Sequence, residues 1–207
     1  ITLGGTVNGA YSLTINTTGT TTLSGDIGGN TALTTLTTNT GGTTVISVDI
    51  ETSSTQTYND AVTINGTLDF TGSTVQFANT LAGDDGTGDN LTISGALDLD
   101  GEATSLTSLT VEGTSNLGAD VTTSGTQTYS GAVVLSNDVT LTTTDSNITF
   151  AVTVDGDGTA RDLTIDMDNS GVSADGTVQF ANTVGANNSL DVIDITGNLN
   201  LDAAISN

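Results

Sequence analysis

The chain has 207 residues, 24 acids against a single base (Arg161), a formal charge of −23, and no Pro, Cys, His or Trp. One cation cannot displace counterions from phosphates, so nucleic acid and anionic membrane surfaces are excluded as partners. No apolar run approaches the roughly 18 residues of a membrane span, and without His, Cys or Lys the usual bases and nucleophiles are missing.

High acidity with 3% aromatics suits a disordered chain, but 34% of the residues are hydrophobic and they fall in alternation. In chain order the short runs include "YSLTIN" (11–16), "TALTTLT" (31–37), "NLTIS" (90–94), "VTLTTT" (139–144) and "DLTID" (162–166). Period-two alternation rich in Val, Ile and Thr predicts strands, bounded by turns such as Asn65-Gly66, Asp100-Gly101 and Asp155-Gly156. Of the 24 acids, 21 are Asp, whose short side chain bonds nearby backbone N–H groups in turns.

The phrases repeat. "TQTYNDAVTI" (55–64) returns as "TQTYSGAVVL" (126–135), "VQFANT" stands at 75–80 and 178–183, and "ITLGGTVNG" (1–9) matches "ITFAVTVDG" (148–156). They divide the single segment 1–207 into degenerate units at 1–54 (partial), 55–125 and 126–207. Two all-β architectures fit strands at this spacing: tandem β-sandwich domains, or a β-solenoid with about 20 residues per coil. The solenoid is favoured, because a sandwich core of this size needs more aromatics than this chain has. Tyr58 and Tyr129 are then expected to pad one corner of equivalent coils, and Phe77, Phe150 and Phe180 to point inward. About ten coils at a strand spacing of about 4.8 Å give a rod on the order of 50 Å long.

The phrases "TQTYSGAV", "ITFAVTVDG", "TVQFANTVG" and "ITGNLNLD" resemble the repeats of filamentous haemagglutinin-like adhesins, very large bacterial surface proteins. That resemblance spans nearly the whole chain. It implies a right-handed parallel β-helix, export to the cell surface, and a role in attachment or as a stiff fibre. It carries over no catalytic residue. Both ends read as mid-repeat, so we expect an excerpt from a longer array, with further copies or flanking repeats stacked end to end.

Two loops crowd carboxylates among glycines, "GDDGTGDN" (83–90) and "DGDGTARD" (155–162). Calcium takes six to eight oxygen ligands on flexible loops, so Asp155, Asp157 and Asp162 form one candidate set and Asp84, Asp85 and Asp89 another. Neither loop completes an EF-hand, and a solvated, metal-free corner insertion is the competing reading. Arg161 is expected to be a local ion-pair partner. The sequons at Asn16, Asn65, Asn90, Asn147 and Asn187 are read as turn residues. The functional expectation is a non-enzymatic, extracellular structural or adhesive fibre segment, touching a host or neighbouring cell and inserting into no membrane. The alternatives are a calcium-dependent carbohydrate or cell-contact module, and an ice-binding solenoid.

Overall fold

A computed structural model describes residues 1–168 and 176–206. Among these the chain forms no helix, and its strands build one ten-stranded and one 14-stranded sheet. All pairings between strands are parallel, and the antiparallel contact is one isolated bridge, Thr144 with Asp168. Parallel pairing of consecutive segments rules out tandem sandwiches, which close by antiparallel neighbours. The architecture is a parallel β-solenoid of about 9 turns with about 21 residues per turn.

Each turn visits three faces in the same order. The ten-stranded sheet is the first face, from Thr2–Leu3 through Thr43–Ile46 and Val121–Thr123 to Ile193–Thr196. The 14-stranded sheet supplies the other two. The second face runs through Ser108–Val111, Gln127–Tyr129 and Ile148–Phe150, the third through Thr55–Tyr58, Ser115–Leu117 and Val133–Leu135. The ten-residue strands Leu68–Phe77 and Asn90–Leu99 traverse both of these faces.

In-register parallel stacking puts like on like. On the first face one interior ladder runs Thr21, Thr44, Val62, Leu81, Ala103, Val121, Leu141, Ile165 and Ile195. On the second face Val111, Tyr129, Phe150 and Phe180 follow one another. Their rings stack, with Tyr129 and Phe150 centroids 5.2 Å apart and Phe150 and Phe180 5.0 Å apart. Each buried Leu, Ile or Phe contributes about 1.5–3 kcal/mol, and successive turns repeat that gain along an axis.

Three features differ from expectation or were hidden from it. The two "TQTY" copies do not share a corner: Thr55–Tyr58 lies on the third face and Gln127–Tyr129 on the second. Nor do Tyr58 and Tyr129 pad a turn, since both are fully buried in strands. Burial is tolerated because the side chain two residues earlier points the same way. Tyr58 OH donates to Gln56 Oε1 at 2.9 Å, and Tyr129 OH to Gln127 Oε1 at 3.1 Å. Phe77, Phe150 and Phe180 are interior, as expected.

The third feature is a glycine column at the corner between the second and third faces. Gly72, Gly95, Gly113 and Gly131 occupy it in successive turns. A Cβ on Gly113 would strike the Gly95 carbonyl and come within 2.8 Å of Ala96 N; one on Gly131 would meet Gly113 in the same way. The coils approach so closely there that only a residue without a side chain fits.

Candidate metal centre

Corner loops carry most of the Asp, and several of these residues serve the neighbouring coil. Asp120 Oδ1 accepts from Thr140 N at 2.7 Å, Asp138 Oδ1 from Asp162 N at 3.1 Å, and Asp49 Oδ1 from Asp69 N at 2.8 Å. The short Asp side chain reaches the next coil's first free N–H, where the longer Glu would overshoot.

The loop 83–90 leads from Leu81–Gly83 on the first face to Asn90–Leu99 on the second. Gly86 (φ 73°) and Gly88 (φ 81°) take left-handed conformations that fold it tightly. Asp85 Oδ1 accepts from Thr87 N at 2.8 Å, closing an Asx turn. Asp84 Oδ2 accepts from the Asn65 side-chain amide of the preceding coil. Asp89 Oδ1 accepts from Gly66 N at 2.8 Å, also in the preceding coil. On the other side, Thr107 of the following coil donates its N–H to Asp89 O and accepts from Gly88 N, both at 2.8 Å.

This folding gathers one carboxylate oxygen each of Asp84, Asp85 and Asp89 within 4.8 Å of one another. Asp84 and Asp85 are exposed, whereas Asp89 is only 1% exposed and its Oδ2 has no hydrogen-bond partner. A Cβ on Gly83 would sit 2.7 Å from that oxygen and would strike Ser105 O, so glycine is what lets the carboxylate tuck in.

The second candidate set is arranged differently. Asp155 is 5% exposed and bonds Asn187 twice, at 3.0 Å to its backbone N–H and 2.9 Å to its side-chain amide. Burial raises the Asp155 pKa, but the Asn187, Asn188 and Thr153 hydrogen bonds outweigh it and hold the group below the usual carboxylate range. Asp157 pairs with Arg161 at 2.8 Å, and the Arg161 hydrogen bond lowers its pKa to about 2. Asp162 turns to Val192 N at 3.2 Å. The three thus face three different partners and are not drawn together. Arg161 is the ion-pair partner expected of it.

Besides its own Asp85 turn, the 83–90 loop is held by groups of neighbouring coils, 18 to 23 residues away. Nothing local in "GDDGTGDN" marks Gly66, Ser105 or Thr107 as its neighbours. No family model, no curated protein and no solved structure matches this chain.

Proposed function

We propose that this chain is a stalk segment of an elongated extracellular fibre or giant adhesin, working by length and stiffness rather than by catalysis. The observation that carries the reading is the uninterrupted stacking along one axis. A single interior ladder passes from Thr21 to Ile195 through nine successive residues. A rod built this way resists bending, because every turn is bonded to the next over three faces. The resemblance of its phrases to filamentous haemagglutinin-like repeats supports the same reading.

Stacked copies or flanking repeats are the partners this reading implies, because parallel coils of this kind pair with their neighbours along one axis. The acidic surface discourages side-by-side association of the Thr-rich strands.

Immunogold electron microscopy of native cells, with antibody raised against this chain, tests the proposal. The expected result is label along external threads roughly 20–30 Å wide. Label confined to the cell interior would overturn it.

A further inference from the structure

The loop at 83–90 holds an arrangement that length and stiffness alone do not call for. Three carboxylates lie within 4.8 Å of one another, and the one base of the chain, Arg161, is engaged elsewhere with Asp157. One of the three, Asp89, is almost fully buried, and its Oδ2 meets no donor. Its other oxygen, Oδ1, accepts from Gly66 N, but a buried carboxylate oxygen without a donor or counter-ion is disfavoured, so Oδ2 has been taken from water without a protein partner.

We infer that Asp84, Asp85 and Asp89 bind a calcium ion that clamps three successive coils. The donors are all oxygen, which suits a hard cation. They stand on an irregular glycine-turned loop rather than on a rigid octahedral frame, which favours calcium over magnesium. The Ser105 carbonyl, pressed against Gly83 on the same side as Asp89 Oδ2, is a further oxygen within reach. The ion's partners are themselves tied to both neighbours, through Asn65 and Gly66 before and Thr107 after. Calcium there offsets two of the cluster's three negative charges and couples those turns, so binding stabilises the folded rod by mass action.

Calorimetric titration of the whole chain with calcium in about 150 mM NaCl tests this, alongside thermal melts. At that ionic strength diffuse attraction to the acidic surface is screened beyond about 8 Å. The expected result is one saturable site with Kd of about 10⁻⁴–10⁻³ M, the range of extracellular calcium modules, and a melting temperature that climbs with calcium. Asp84→Asn with Asp85→Asn keeps an acceptor oxygen for Asn65 and for Thr87 N, so the fold is retained, which circular dichroism checks. That pair should weaken the site by about tenfold or more, while Asp157→Asn leaves it unchanged. Unsaturable uptake that the Asp84→Asn/Asp85→Asn variant does not alter, equal binding of magnesium, or no binding at all would each overturn the inference.

Discussion

Replacing Gln127 by Leu probes the interior most sharply. Gln127 is fully buried; its Nε2 donates to Val121 O at 3.2 Å and Thr142 O at 3.0 Å, and its Oε1 accepts from Tyr129 OH. Leu fills similar space but makes none of these bonds. The Tyr129 hydroxyl, also fully buried, becomes an orphan at about 1–3 kcal/mol, and each carbonyl that loses a donor adds about 0.5–1.5 kcal/mol. Added apolar burial offsets part of that, so a net loss of roughly 2–5 kcal/mol is expected. Tyr129→Phe then removes the orphan, and in the Gln127→Leu background it should restore about 1–2 kcal/mol. Urea unfolding followed by circular dichroism on the four members of this cycle gives the coupling energy. A coupling near zero, with Tyr129→Phe equally damaging in both backgrounds, would refute the buried amide–phenol pair.

The glycine column and the buried phenols make two further predictions. Gly113→Ala drives a methyl into the Gly95 backbone and should destabilise by about 1–3 kcal/mol in the same urea assay; Gly5→Ala, with nothing within 4 Å, should be neutral. Burial pushes the Tyr58 and Tyr129 phenols far above their ordinary 10.0. A folded-state pKa raised above the unfolded value contributes stability that is complete below pH 10 and lost as pH rises beyond it. Stability should therefore fall above about pH 10 by roughly 1.4 kcal/mol per pH unit for each of the two, and Tyr58→Phe with Tyr129→Phe should flatten that slope.

The fold class was legible because alternation is a direct record of which side chains face inward. Phe77, Phe150 and Phe180 stand at inward phases of their runs and are interior. What the repeats could not disclose was the face. Turn length varies from 18 residues, between Thr43 and Ala61, to 30, between Leu163 and Ile193, so phrases equivalent in sequence drift in phase around the axis. The "TQTY" phrase encodes a strand with its own buried amide bonding, valid on either face of the coil. Gln56 and Gln127 bond carbonyls six residues back and 15 residues on in both copies, although the copies occupy different faces.

The burial of Tyr58 and Tyr129 was readable in principle. Gln-x-Tyr places amide and phenol on one side of a strand, where each satisfies the other. The two carboxylate loops, by contrast, look alike as text. What separates them lies outside the text: Arg161 takes Asp157, and Asn187, 32 residues on, takes Asp155. Gly66 and Thr107 fold the other loop inward from neighbouring coils.

Pairwise distances along one outward ladder test the central claim of axial stacking most directly. Thr14, Thr37, Thr57, Gln76, Asp98, Asn116 and Val134 follow one another in register on the third face. The chain has no cysteine, so Thr14→Cys can be paired in turn with Asp98→Cys, Asn116→Cys and Val134→Cys for spin labelling. Double electron–electron resonance should give separations centred near ~19, ~24 and ~29 Å, one strand spacing per added turn. Separations that fail to lengthen along this series would contradict the stacked coil.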